Sequence, residues 1–438
     1  MTQFVIATST FQSQVADLLP CNKWQKSQLT HALINAYSLL GKFDYVIAKP
    51  CCRKEDLLKF HSEEYVEVLL NPKYNSLLPY DEDEDSWSQL SEMAFDWATR
   101  NNANCHRLKS RAELHNCYQR LQGRKRSAEE AFSNNKGEKL DIQQFNLEGD
   151  CPIFSYLPMY CKVVTGATLM LADYINLGED RTIAINWDGG RHHAMKQKAS
   201  GFCYVNDIVL TIQKLRAKGF QRISYVDFDL HHGDGVENAF KYSTNVQTLS
   251  LHLFEHGFFP TTGSLIDAKK GRGVYNIPLS HGLDDEYLHK VVEELVFPLI
   301  DRQDPQLIII QCGGDGLIGD GYAEWQLSIK GLSRNIIKIL NRYQTSSVVL
   351  LGGGGYNETV MSRYYTYLTG QLFDSSFLQN EDAVIPEHEF ADAYHAEHYK
   401  FWAYETEGSL FKKTLRNDNH FDFIEKLKKT YGITAPTI

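Results

Sequence analysis

Short runs of consecutive apolar residues recur along the chain, at 45–48, 182–186, 223–228, 246–251, 307–311 and 348–351. They are rich in Ile, Val and Leu, and they are too short for independent helices. Their composition predicts strands. Apolar residues at helical spacing predict helices over 29–40, 206–218 and 330–343, and a short charged helix over 421–431. Strand-like runs that alternate with helical stretches are the pattern of an α/β protein built on a parallel sheet. The chain carries no internal repeat.

The alternation stops at about 71–140. That stretch opens on an acidic run, Asp81-Glu-Asp-Glu-Asp85, which reads as a solvated loop. Leu90, Met93, Ala94 and Trp97 then recur at helical spacing, as do Leu114, Tyr118 and Leu121, so two amphipathic helices are expected. Gly123-Arg-Lys-Arg126 is a short basic cluster, simpler as a solvated turn than as a nuclear signal.

Composition narrows the classes. A chain of 438 residues holds one large or two ordinary domains, and 43% hydrophobic residues support a real core. No run approaches the ~18 apolar residues of a membrane span. The first residues lack the basic start and apolar stretch of a secretion signal. Nine scattered cysteines, an odd number, suit reduced thiols in the nucleus or cytoplasm. A net charge of -10 argues against direct nucleic-acid binding and is compatible with basic peptide substrates.

Chemistry concentrates where the apolar runs end. Tyr225-Val-Asp-Phe-Asp-Leu-His-His-Gly-Asp-Gly235 climbs from an apolar segment into Asp and His. On extended backbone Asp227, Asp229 and His231 would point the same way. A carboxylate and an imidazole on one face suit zinc or another divalent metal. Ala184-Ile-Asn-Trp-Asp-Gly-Gly-Arg-His192-His193 repeats the design. Two adjacent histidines alone fit a surface loop. Beside the first motif, Asp227 and Asp234 become candidates to accept the imidazole Nδ1 protons and fix their tautomers. Leu307-Ile-Ile-Ile-Gln-Cys-Gly-Gly-Asp315 offers a third metal ligand. Ser347-Val-Val-Leu-Leu-Gly-Gly-Gly-Gly-Tyr356 ends in a tetraglycine that fits either a plain turn or a phosphate cradle, followed by a phenol able to donate to an oxyanion.

These segments, with His192 through Asp207, Gly257-Phe-Phe-Pro260, Gly313-Gly-Asp315 and Gly352–Tyr356, resemble the zinc-dependent class I histone deacetylases. Five motifs come in the family's order and spacing, over about residues 24–70 and 141–400. Phe145-Asn-Leu-Glu-Gly-Asp-Cys-Pro152, Ile385-Pro-Glu-His-Glu-Phe390 and the short C-terminus look most like the single-subunit branch, histone deacetylase 8. The resemblance implies one domain over 1–438 with an atypical insertion at about 71–140. It also implies an arginase/deacetylase-like three-layer α/β fold with a central eight-stranded parallel sheet.

It implies roles as well. Asp229, His231 and Asp315 match the ligands of Zn2+, or of Fe2+ in its place. His193 matches the general base and His192 its electrostatic partner, each backed by its Asp234 or Asp227. Tyr356 matches the phenol that binds the acetyl carbonyl oxygen. Gly201, Phe202, Phe259 and Gly354 match the acetyl-lysine tunnel, Cys203 its foot, Tyr322 its rim, and Asp141 a rim carboxylate that grips substrate amides. Family members also bind K+. Asp227, Asp229, His231, Ser250 and Leu251 match the site near the metal, and Phe240, Ser243, Val246 and Tyr275 the distant one. The implied function is removal of acetyl groups from lysine in histones or other proteins.

Departures from the family matter too. Gly319-Asp-Gly-Tyr322 places a bulky aromatic at the rim where relatives have Met or Leu. Lys26 stands near a position that is usually Arg. Gly321 and Thr359 occupy positions where relatives in corepressor complexes use two arginines for inositol phosphate, so that ligand is not expected. Removal of longer acyl groups, deacetylation of polyamines, and a non-turnover acetyl-lysine reader are the competing functions. A ureohydrolase on the same fold would need more carboxylates for two metals.

Overall fold

The computed structural model describes residues 2–22, 25–71, 74, 142–154, 156–406 and 414–433. Its frame is one sheet of eight parallel strands: β1 (Gln3–Ala7), β2 (Tyr45–Ile47), β3 (Thr182–Asn186), β4 (Ile223–Asp227), β5 (Val246–Leu253), β6 (Val274–Leu279), β7 (Leu307–Gln311) and β8 (Ser347–Leu351). Their order is β2-β1-β3-β8-β7-β4-β5-β6.

The apolar runs fold this way because both sheet faces are covered. On one face Ile183, Ile185, Ile308, Ile310, Val348 and Leu350 join a core with the helices Lys26–Ala36, Ile329–Arg342 and Glu358–Gln371. On the other, Ala184, Leu307, Ile309, Val349 and Leu351 pack with the helices Leu157–Leu171 and Asp207–Ala217. Alternate residues of one strand enter opposite cores, the two-residue period of extended chain. The result is the expected three-layer arrangement.

β3 and β7 match the apolar runs residue for residue, and the helix Phe421–Tyr431 has the expected bounds. β1 and β6 are additional. β6 contains Pro278, which gives no N–H to a ladder, and it sits at the sheet edge, where that loss is tolerated. The two helices expected within 71–140 lie outside the described residues.

The site depends on one property of this order. β3, β8, β7 and β4 are consecutive neighbours, and all point the same way. Four motifs scattered over more than 170 residues therefore emerge side by side at one sheet edge, where α/β folds place their sites.

Candidate active site

β4 ends at Asp227, so Asp229 and His231 lie beyond the strand, contrary to the extended-backbone expectation. A relay of short turns holds them instead. The Asp229 N–H donates to Asp227 Oδ1 (3.1 Å), and the His231 N–H donates to Asp229 Oδ1 (3.1 Å). Each Asp side chain bonds the backbone two residues on, as Asx turns do. The neighbouring strands supply the rest. Gln311, the last residue of β7, donates to Asp229 Oδ2 (2.7 Å), and so does the Gly354 N–H after β8 (2.8 Å). The Leu230 N–H donates to Asp315 Oδ1 (2.8 Å).

Asp229, His231 and Asp315 thereby converge, with one ligand atom from each all within 4.8 Å of one another and all three buried. His231 Nδ1 lies 2.9 Å from Asp315 Oδ2 and 3.3 Å from Asp229 Oδ1. Buried carboxylates this crowded are costly without a cation. Burial and the charge of Asp229 push Asp315 up to about 7. Burial opposes charging His231, but hydrogen bonds to Asp229 and Asp315 outweigh it and hold the imidazole at about 10. One nitrogen and two oxygen donors, buried yet open to a pocket, fit zinc or a similar divalent ion with room for water and substrate. The backbone makes this space: a Cβ on Gly354 would lie 2.3 Å from Asp315 Oδ2.

Two His–Asp dyads flank the cluster. His192 Nδ1 meets Asp227 Oδ2 at 2.8 Å, and His193 Nδ1 meets Asp234 Oδ1 at 2.8 Å. The imidazole rings lie 3.8 Å apart. Two charges at that distance repel, and the environments separate them. Burial opposes the charge on His192, but Asp227 and Asp229 prevail and raise it to about 9. Burial and the charge of His192 lower His193 to about 4. At neutral pH His193 is a neutral base with its tautomer fixed by Asp234.

The loop bearing both histidines is anchored by Asp207. Its carboxylate accepts from the Gly190 N–H (3.0 Å), the Arg191 N–H (2.8 Å) and the Thr168 hydroxyl (2.6 Å). Asn206 caps the helix Asp207–Ala217 through Val209 N–H, and its amide also donates to the Ala194 carbonyl (2.9 Å). One helix start thus fixes the His loop.

Aromatic rings form the approach. Phe259 stands edge-on to His193 at 4.9 Å, Phe258 stacks on His231 at 5.1 Å, and Tyr322 meets His231 edge-on at 4.8 Å. Phe202 and Tyr322 each contact the Tyr356 ring, at 5.8 and 5.2 Å. Gly201 has φ of +49°, and a Cβ there would lie 2.5 Å from the His193 ring, so the wall closes only around glycine. Cys203 is buried, and with Lys26, Arg191 and Tyr356 it lines a narrow pocket. Lys26 Nζ donates to the Gly353 carbonyl (3.2 Å).

The structure thus gathers the expected catalytic, metal and tunnel residues, from His192 to Tyr356, at one sheet edge. Asp141 lies outside the described residues. Of the expected K+ residues, Ser250 pairs with Asp227 in the β4–β5 register and precedes Leu251. Phe240, Ser243 and Val246 gather before and at the start of β5, with Ser243 N–H donating to the Phe240 carbonyl (2.7 Å) and Val246 N–H to Ser243 Oγ (3.2 Å). Tyr275 lies on β6, opposite Leu249. Sequence reasoning missed Gln311, Phe258 and Asp320. Asp320 accepts from the N–H groups of Tyr356 (2.6 Å) and Tyr322 (2.9 Å). Only the Gly-Asp pair before Tyr322 could have signalled it.

Residues 19–372 match the family model described as "Histone deacetylase domain". Histone deacetylase HOS1 of Saccharomyces cerevisiae is 49% identical over 99% of this chain and 100% of that protein. Histone deacetylase 8 of Xenopus tropicalis is 41% identical over 57% of this chain and 67% of its own. Human histone deacetylase 1 is 36% identical over 66% of this chain and 57% of its own. The chain belongs to the histone deacetylase family, zinc-dependent hydrolases that deacetylate lysine. The likeness to deacetylase 8 is real but partial, whereas that to HOS1 runs the whole chain.

Proposed function

We propose that the protein hydrolyses N6-acetyl-lysine in histone or other protein tails, releasing acetate, as one deacetylase domain with an insertion at about 71–140. The observation that carries this reading is the convergence of Asp229, His231 and Asp315 beside a neutral His193 and the Tyr356 phenol. Asp229, His231 and Asp315 would hold the zinc, which when bound polarises the amide carbonyl and lowers the pKa of the attacking water toward ~7.

The chain's own groups do the remainder. Gly201, Phe202 and Phe259 enclose the acetyl-lysine stem and exclude water. His193 Nε2 accepts the proton of the attacking water while Asp234 holds Nδ1–H, and it then delivers a proton to the lysine amine. His192, charged and paired with Asp227, stabilises the negative charge that builds beside it. Tyr356 stays a protonated donor, because burial and Asp315 hold its phenol well above the ordinary range, and it points a hydrogen bond at the developing oxyanion. Asp141, which lies outside the described residues, is the candidate acceptor for substrate amide N–H groups on the family match alone.

K+ at the two sites named above and residence in the nucleus or cytoplasm are proposed from the family alone. Independence from inositol phosphate has local support. The Thr359 hydroxyl donates to Asn357 Oδ1 (3.0 Å) and Glu397 Oε1 (3.1 Å), and the neighbouring Arg363 guanidinium is buried and engaged by Glu397 and by the Thr359 and Lys400 carbonyls. Among the described residues no helix is long and apolar enough to cross a membrane.

The test is turnover of acetyl, crotonyl and fatty-acyl peptides by the metal-loaded chain. Acetate release from the acetyl peptide is expected, with His193→Ala slower by ~10²–10⁴-fold. A parent that binds the acetyl peptide but never releases acetate, with zinc or ferrous iron, would make it a reader.

A further inference from the structure

A second set of ionisable side chains lies beside the loops that carry Phe258, Phe259 and Tyr322, apart from the groups used above. His281, on the loop after β6, lies between two glutamates. Its Nδ1 is 2.6 Å from Glu324 Oε2, and its Nε2 is 3.0 Å from Glu255 Oε2. An ionised carboxylate only accepts hydrogen bonds, and a neutral imidazole has a single N–H. The two contacts together therefore require an imidazolium, with one proton on each nitrogen.

What the two glutamates belong to gives the bridge its meaning. Glu255 sits three residues before Phe258 and four before Phe259, on the loop that lays one ring on His231 and the other against His193. Glu324 sits two residues after Tyr322, whose ring contacts both His231 and Tyr356. The backbone of the His281 loop is itself fixed. Gly282 N–H donates to the Glu324 carbonyl (2.8 Å), Trp325 Nε1 to the Ser280 carbonyl (3.0 Å), and Gln326 Nε2 to the Gly282 carbonyl (2.9 Å). From the other side, Asp418 N–H donates to the His281 carbonyl (3.0 Å) and Phe254 N–H to the Leu279 carbonyl (3.0 Å). Beyond Phe254, the His281–Glu255 contact ties the phenylalanine loop to this platform.

We propose that His281 is a positioning residue: as an imidazolium it clamps the Phe258–Phe259 loop to the Tyr322 loop and so sets how a peptide sits at the tunnel mouth. The clamp rests on the deacetylase reading only in calling that peptide a substrate. Other charges nearby do not substitute for either glutamate. Asp418 pairs with Arg416 (3.1 Å) and offers His281 only its backbone N–H. Asp284 and Asp285, the N-cap and first residue of the helix Asp285–Val291, bond Tyr287 N–H and Ser328. His256 follows Glu255 directly. The hydrogen bond to Glu255, and then that to Glu324, hold the His281 imidazolium above the ordinary histidine range. The clamp therefore loosens as pH rises through that titration. Because His281 and its partners are partly exposed, the effect is modest.

Two measurements on the full chain decide it. By NMR, the His281 ring should titrate above ~6.5, the unperturbed value, and fall toward it in Glu255→Gln and in Glu324→Gln. This readout needs no activity. Kinetically, His281→Asn should raise the KM of an acetyl-lysine peptide about 3- to 5-fold, the range of an exposed ion pair, while kcat and bound zinc hold. His281→Arg, which keeps a permanent charge with donors on both sides, should restore KM and remove its alkaline rise. If His281→Asn fails to fold, Glu255→Gln carries the kinetic arm. The clamp is wrong if His281 titrates near ~6.5 whatever its neighbours. It is equally wrong if peptide KM ignores both substitutions, or if kcat falls while KM holds. A parent with no turnover at all sinks the deacetylase reading alone, and the ring titration then decides the clamp.

Discussion

At the floor of the pocket, Asp229 is 1% exposed and accepts hydrogen bonds from Gln311 and from the Gly354 and His231 backbones. At the mouth, His281 and its glutamates are 31–52% exposed, and the bridge they form is a single side chain deep. Buried charges are poorly screened, so removing one partner there strands the others at high cost. Exposed ion pairs are screened by water and salt and contribute little each. The contrast suggests a division of labour. The floor is over-determined and fixes the chemistry. The mouth is lightly held, so substitutions there are expected to change peptide selection more than the reaction.

The sharpest way to break this contrast at the floor is Tyr356→Phe. The ring and its contacts with Phe202 and Tyr322 remain, and only the oxyanion donor goes. We expect kcat lower by ~10²–10³-fold with peptide affinity kept, measured by steady-state kinetics and direct binding. Unchanged kcat would place the donor elsewhere.

A second test concerns what holds the floor. His61 is buried, and its Nε2 accepts the Asn206 N–H (3.0 Å), next to the helix start that fixes the His loop. Burial lowers its folded pKa to about 4, below the ~6.5 of an unfolded chain. The unfolded state therefore binds the extra proton first. The stability that a neutral His61 contributes is complete above ~6.5 and is lost as pH falls toward ~4, by about 3 kcal/mol at most. His61→Gln should flatten denaturant-measured stability across that window. A slope identical to the parent's would exclude His61 as its source.

The smallest effect belongs to the rim. Tyr322→Leu removes one edge contact with His231 and one with Tyr356. Peptide KM should change about 2- to 10-fold, with kcat on a minimal acetyl-lysine substrate unchanged. A larger loss in kcat than in KM would move Tyr322 from the mouth to the floor.

The same contrast explains what could be read along the chain. The floor was legible because parallel strands are continuous apolar runs, and each run that carries a site residue ends in Asp, His, Gly or Tyr. Asp229, His231, Asp315 and both His–Asp dyads stand out on that pattern. The way they are held does not: the extended backbone expected of 223–228 gives way after Asp227 to turns built on side-chain hydrogen bonds. β6 escaped because Pro278 and Asn276 break its apolar character, which an edge strand tolerates. Gln311 reads as a strand residue until its amide is seen on Asp229. The mouth was the least legible part. Glu255, His281 and Glu324 come from three loops whose separations follow no helical or strand period, and only the fold brings them together.

The proposed reaction depends on a single metal held by one buried cluster, Asp229, His231 and Asp315. The most direct test strips the protein of metal and adds zinc back in steps, following bound zinc and acetate release together. Both should rise in proportion and level off at one zinc per chain, and Asp229→Ala should do neither while keeping most of its fold. Full turnover by the metal-free chain, or undiminished zinc stoichiometry in Asp229→Ala, would contradict it.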